Sequence, residues 1–348
     1  MENEYTFTSI EKVEFMCVRD IPTGTAEYKV TSVITNEGVN VVSESEFFSD
    51  VDIVPWREDN KIIVPYVYKR SNDSVTVTAR HKPTQITKDF TITFDKWELV
   101  FEDDFDGTEL NKNNWEYCPN CLRAKGYVNY WDDSMTFLDG NSHLVSRAQA
   151  GKKVLTNKKT GETKEVDAYL SGAVWSKNLV EHGYGYYEIC AKLHHKTGMW
   201  GAFWLVTGDM DTGEDCPDDN SAVGGAEIDI FESLYNYGGV NSTVHWDGWA
   251  GKTKSMGYHD YVTPIEVYDG QFHTFAFRWS PDEYVFLIDG QVTLRTTVGG
   301  ICNVPGYINI TTECGTWGGD WELKDGEHSD MLIDYVRVYQ TPSDKNDK

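Results

Sequence analysis

Hydrophobic and polar positions alternate with a period of two along much of this chain, and the 3.6-residue periodicity of amphipathic helices is scarce. Tyr28-Lys29-Val30-Thr31-Ser32-Val33-Ile34 mostly alternates, as do Val75-Thr76-Val77-Thr78-Ala79 and Phe90-Thr91-Ile92-Thr93-Phe94. Asn72-Asp73 and Lys82-Pro83 supply turn residues between such runs. Short alternating strands with this punctuation predict a small antiparallel sandwich over residues 1–95. Beyond Asp95, Trp, Gly and Asp become frequent and the strands lengthen, as in Tyr184 to Leu193, Phe272 to Trp279, Tyr284 to Ile288 and Met331 to Tyr339. Asp289-Gly290 marks a hairpin turn. The pattern predicts an all-β protein with a boundary near Asp95, and residues 96–342 suit a large sandwich or jelly roll. The polar tail, 343–348, is expected to fray.

One alternating run carries unusual chemistry. In Gly225-Ala226-Glu227-Ile228-Asp229-Ile230-Phe231-Glu232 the acids at 227 and 229 fall on one strand face, with Ile228 and Ile230 on the other. A regular strand would turn Glu232 to the opposite side. A one-residue bulge at Ile230-Phe231 would return it to the acidic face. The backbones at 227 and 232 are then roughly 13 Å apart. Two long Glu side chains leaning over a shorter Asp would bring their carboxyls to about 5 to 5.5 Å, the separation a retaining glycosidase needs. Burial and like charge on such a face raise at least one pKa, which suits an enzyme that needs one ionised and one protonated acid. On spacing alone, a calcium site and a solvated acidic strand also remain open.

Composition narrows the ligand classes. Aromatics are 14% of the 348 residues, with 12 Trp and 20 Tyr. Such rings present flat apolar faces on which the C–H faces of sugars stack. A formal charge of −25 argues against nucleic-acid binding. The longest apolar run, Met199 to Val206, is far too short to span a bilayer. The N-terminus has no basic segment followed by an apolar stretch, so no signal peptide is read there. Export with the signal removed is the expectation, because polymers cannot enter most cells. Seven Cys, including Cys118-Pro119-Asn120-Cys121, do not make a tidy disulfide framework; a zinc pair, a local disulfide and free thiols are all compatible with them. The acidic run from Asp209 to Asn220 is expected to be an exposed loop, with calcium as the alternative.

Glu-Ile-Asp-Ile-Phe-Glu resembles the E-x-D-x-x-E signature of glycoside hydrolase family 16, which includes laminarinases, agarases and related endo-glycanases. Flanking segments agree in order. Trp97-Glu98-Leu99-Val100-Phe101-Glu102-Asp103-Asp104-Phe105 is similar to the family's opening strand, with Asp104 where Glu is usual. Tyr184-Gly185-Tyr186-Tyr187-Glu188 and Gly198-Met199-Trp200-Gly201-Ala202-Phe203-Trp204 resemble the strand and turn ahead of the signature, with Gly201 in place of the common Pro. Asp334-Tyr335-Val336-Arg337-Val338-Tyr339-Gln340 matches the closing strand. The resemblance covers about 97 to 340.

It implies a β-jelly roll with its substrate cleft on the concave face. Glu227 would be the nucleophile, Glu232 the acid/base, and Asp229 the residue that holds their charge states apart. It further implies that Trp200, Trp204, His245, Trp246, Glu313 and Trp317 meet substrate, and that Asn129 and Trp131, with Tyr130, build the distal cleft. Catalysis would need no cofactor. A structural calcium on the convex face would be held by Asp104 and Asp334. The expected protein is a monomer acting on a β-linked polysaccharide or oligosaccharide. A β-1,3- or mixed-linkage glucan is favoured, with galactan or host mucin glycans as the alternative. A carbohydrate-binding protein on an inactivated hydrolase fold belongs to another class, and the intact acids argue against it. Transglycosylation would share the same covalent intermediate. Residues 1–95 are read as an immunoglobulin-like spacer or binding module. Its Trp56, Tyr66 and Tyr68 could stack sugar, although core packing is favoured for them.

Overall fold

A computed structural model of the chain describes residues 5–51, 60–123, 129–156, 159–249, 253–257 and 266–346. It divides into two compact units, Met1–Trp97 and Glu98–Lys348, so the break falls two residues after Asp95.

The first unit contains two three-stranded antiparallel sheets. One joins Ile10–Arg19, Ala26–Thr35 and Lys61–Val64; the other joins Ser45–Phe48, Ser74–His81 and Thr87–Thr93. The alternation sets their inner faces: Ala26, Tyr28 and Val30 from one sheet and Val75, Val77 and Ala79 from the other share one core. Tyr66-Val67-Tyr68 opens a short helix, Tyr66–Ser71. The Tyr68 ring packs edge-on against Phe94, whereas Tyr66 and Val67 are exposed. Trp56 lies outside the described residues. Beneath the helix, Lys69 is buried and bonds Asp20 and, at 2.8 Å, the Ile21 carbonyl. Asp20 also accepts from the Tyr28 hydroxyl and the Asp95 amide. Removing the cation alone would strand a buried carboxylate. Lys69→Met is therefore expected to lower the stability of this unit by about 3–5 kcal/mol, read by denaturant unfolding.

The second unit is a sandwich of two large sheets. One runs Lys254–Gly257, Gly239–Trp246, Glu227–Leu234, Met199–Thr207, Gly306–Cys314, Ala173–Trp175 and Glu116–Tyr117, with Glu181–His182 beside Gly306–Cys314. The other is centred on Gly185–Lys192, His328–Gln340 and Leu144–Thr156 and has eleven strands among the described residues. Its neighbours are antiparallel except Asn129–Trp131 on Thr163–Ser171. Asp289 and Gly290 both have left-handed φ, 46° and 70°, which makes the tight turn between Tyr284–Ile288 and Gln291–Thr296.

The core lies between the sheets. Phe203, Ile228, Phe231 and Ile310 meet Ile189, Phe275, Phe277 and Val336, and the Phe231 and Phe275 rings are 4.4 Å apart. Each such ring contributes roughly 1.5–3 kcal/mol on burial. Inside the sandwich, His194 bridges the hydroxyls of Ser329 and Thr312, and burial pushes its pKa down to about 4, so it stays neutral. The Gly201 amide donates to the Ser233 hydroxyl at 2.8 Å, a bond that Pro could not make. A Cβ at Gly201 would also sit 2.4 Å from the Met331 sulfur. Of the tail expected to fray, residues 343–346 are in an ordered turn of helix, and residues 347–348 lie outside the described residues. Pro342–Asn346 forms a short helix because Asp344 is buried, accepts from Thr341 and pairs with Arg278.

Candidate active site

The acid-bearing strand, Glu227–Leu234, lies between Met199–Thr207 and Gly239–Trp246. Its register slips by one residue on both sides. Phe203 pairs with Phe231 while the next residue, Trp204, pairs with Asp229. Across the other edge, Thr243 pairs with Asp229 and Asn241 with Glu232. Two steps on the neighbour thus match three on this strand, and Ile230 is the extra residue of a bulge. Ile230 and Phe231 both enter the core, and Glu232 returns to the face of Glu227 and Asp229. The Ile230 carbonyl accepts from the Ser242 hydroxyl at 2.9 Å. Ser242→Ala should cost about 1 kcal/mol of stability and lower kcat more than it changes KM, measured by unfolding and steady-state kinetics.

The three acids line a cavity of about 500 Å³ whose other walls include Trp131, Trp175, Trp200, Trp204, Trp249 and Tyr307. Asp229, the central acid, is only 4% exposed. His245 pairs in register with Glu227, and its Nε2 lies 3.2 Å from Asp229 Oδ2 and 3.9 Å from Glu227 Oε1. One side-chain O or N atom from each of these three residues falls within 4.8 Å of the others. The Trp249 indole donates to Glu227 Oε2. Asn241 Nδ2 donates to Glu232 Oε2 at 3.4 Å and to the Thr243 hydroxyl at 2.6 Å.

Residues 97–341 match the profile of the β-porphyranase A–D GH16 domain. The chain belongs to glycoside hydrolase family 16. A β-glucanase of Rhodothermus marinus is 25% identical over 260 residues, covering 70% of this chain and 85% of the relative. Glucan endo-1,3-β-glucosidase A1 of Niallia circulans is 23% identical over 270 residues, 70% of this chain, but the match spans only 38% of that longer protein. Among solved structures, the catalytic domain of the endo-1,3-β-glucanase (laminarinase) from Thermotoga petrophila RKU-1 superposes with a TM-score of 0.55 at 25% identity, covering 71% of this chain and 99% of that one. The protein is accordingly a glycoside hydrolase of an endo-glycanase family.

The residues that the resemblance to family 16 brings forward separate in the structure. Trp200 and Trp204 line the cavity, and the Trp204 indole donates to the Thr311 hydroxyl at 3.1 Å. Trp317 is not among the residues that line the cavity but packs edge-on against Trp200, with ring centroids 5.2 Å apart and planes at 82°. Trp131 lines the cavity too, but the Arg123 guanidinium covers its ring at 3.8 Å. Trp246 does not meet the cleft. It follows His245 on a strand, so alternation turns it into the core, where it is 5% exposed. Asn129 is fully buried: it donates to Glu313 Oε2 at 2.7 Å and accepts from Ser171, so its amide supports the cavity wall. Glu313 lines the cavity with its carboxylate already engaged by Arg123, at 2.7 and 2.9 Å, and by Asn129.

The acidic run 209–220 is not simply an exposed loop. Gly208–Asp215 forms 3-10 turns, and Asp211 enters the cavity wall, paired with Lys177 and accepting from the Tyr307 hydroxyl. Asp104 accepts from Arg337 at 3.0 Å, and Asp334 is the extra residue of a bulge beside Cys190, whose thiol burial and Asp334 push up to about 12. These two acids are not part of a three-ligand cluster among the described residues. Calcium there would compete with the Arg337 guanidinium. All seven cysteines are free thiols, and Cys118 and Cys121 pack with Trp131.

Sequence reasoning missed Arg123, Trp175, Trp249, Tyr307 and Asn309. A signal existed for two of them: in Gly306–Cys314, Tyr307, Asn309, Thr311 and Glu313 alternate with Ile308 and Ile310, which marks one polar face. Trp249 sits beyond a strand end, and local pattern gives it no address.

Proposed function

We propose that this protein is a retaining endo-β-glycanase that cuts internal β-glycosidic bonds through a covalent glycosyl-enzyme. The observation that carries the reading is the Ile230 bulge, which sets Glu227, Asp229 and Glu232 on one cavity face. Glu227 attacks the anomeric carbon while Glu232 protonates the leaving oxygen; Glu232, now a carboxylate, then draws a proton from the water that releases the sugar. Asp229, close to His245, orders the proton inventory around the nucleophile. The Trp249 indole orients the Glu227 carboxylate for attack.

A β-1,3- or mixed-linkage glucan is the first substrate of this reading. The glucanase relatives support it, and so does charge. Among the described residues, Arg123 in the lining and Lys177 beside the lining Asp211 are each bonded to an acid, and five carboxylates line the cavity, which suits an uncharged backbone. A β-galactan is the second reading, favoured by the β-porphyranase profile. Product analysis on laminarin, lichenan, agarose and mucin O-glycans separates the two; cleavage of none would sink both. An extracellular polymer implies an exported protein. The first unit is read as an immunoglobulin-like spacer or binding module. A structural calcium at Asp104 and Asp334 is read as raising Tm, an effect that chelator titration measures.

A further inference from the structure

The strands Leu144–Thr156 and Thr163–Ser171 pair over nine residue pairs. Near the sandwich their inner face is covered: Ser146 bonds Thr312, and Ser171 bonds Asn129. Past Ala148 and Ser171, Ala150 stands opposite Tyr169 and Lys152 opposite Asp167. Trp321 and Leu323 pack over this stretch and leave a trough of about 610 Å³. The Tyr169 and Trp321 rings, both half-buried, lie 4.1 Å apart with planes at 43°.

We propose that this trough is a second glycan-binding site, taking the stretch of polysaccharide that leaves the cleft past Trp200. The inference rests on the endo-glycanase reading above. Three features select the ligand. The small Ala150, directly opposite Tyr169, leaves room for a pyranose ring beside two aromatic side chains. The rim carries two cations, Lys152 and Lys324, and two acids, Asp167 and Asp325. That balance favours no ion and supplies donors and acceptors for hydroxyls. The volume lies within the range of small-ligand sites.

Continuity with the cleft selects the occupant. Tyr169 pairs with Asn129, whose amide holds Glu313 in the cleft wall. On the other side, the Trp321 backbone fills the space above Gly198, where a Cβ would meet it at 2.5 Å. Two residues further on, Trp200 lines the cleft. The trough thus begins one residue pair from the wall of the cavity that holds the three acids.

The test uses the full chain and two variants, Tyr169→Ala and Ala150→Trp. The first removes a ring; the second fills the trough from a half-exposed position, so it carries the test if Tyr169→Ala melts low. Rates are compared on laminarin, or whichever polymer of the panel is cleaved, and on an aryl β-oligosaccharide too short to reach beyond the cleft. Migration in gels containing laminarin, lichenan, agarose or mucin reports binding without turnover. The expected result is a roughly tenfold rise in KM for the polymer and lost retardation, with the short substrate unchanged. Unchanged polymer KM and retardation in a folded Ala150→Trp would overturn the proposal, and so would equal losses on both substrates. If no polymer is cleaved but wild type is retarded and the variants are not, the hydrolase reading fails and the trough stands. If wild type is neither active nor retarded, both fail.

Discussion

Glu227→Gln should yield a folded protein in which polysaccharide cleavage is lost by on the order of 10⁴-fold or more. Glutamine keeps the length and the planar group, so Trp249 retains a carbonyl oxygen to bond. What disappears is the negative charge that, in the proposed double displacement, bonds the anomeric carbon. His245 then loses an acidic neighbour, yet strand register and the buried Ile228 and Phe231 are untouched. Reducing-sugar release, with circular dichroism as the folding control, measures the outcome. A variant that still hydrolyses within tenfold of wild type removes Glu227 from the mechanism.

The second large effect concerns the other end of the acid row. Glu232→Ala should lower kcat on polysaccharide by about 10²–10⁴-fold, because the proposed mechanism assigns it both protonation of the leaving oxygen and deprotonation of water. On a substrate with a good leaving group, such as an aryl glycoside, the first step needs no acid. Glycosyl-enzyme would accumulate, and added azide would release it as a glycosyl azide of retained configuration. NMR of that product is the decisive measurement. An inverted azide, or no rescue with a folded protein, removes Glu232 from the acid/base role. Asn241 loses an acceptor in this variant but keeps the Thr243 hydroxyl, so folding should be little affected.

Much of this arrangement was legible from period-two patterning. It placed Ile228 in the core and Asp229 beside Glu227, and the mixed order Ile230-Phe231-Glu232 could be reconciled with one acidic face only by an added residue. The same rule, applied one position past His245, sends Trp246 inward, where the resemblance to the family implied a substrate contact. Other features are set by partners distant in sequence. Asn129 and Glu313 are 184 residues apart, and neither shows locally that the other saturates it. Asp344 reads as part of a polar tail until Arg278 is brought beside it. Asp211 looks like one more acid of a charged run, yet Lys177 and Tyr307 draw it into the cleft.

The surplus residue at Ile230 also shapes how such a gene can drift. Without that single residue, Phe231 would be the one inward side chain between Asp229 and Glu232, and plain alternation would still set all three acids on one face. A shortened and an unshortened strand could thus both present the acid row, whereas inserting a further residue between Asp229 and Glu232, with Ile230 kept, would turn the last acid toward the core.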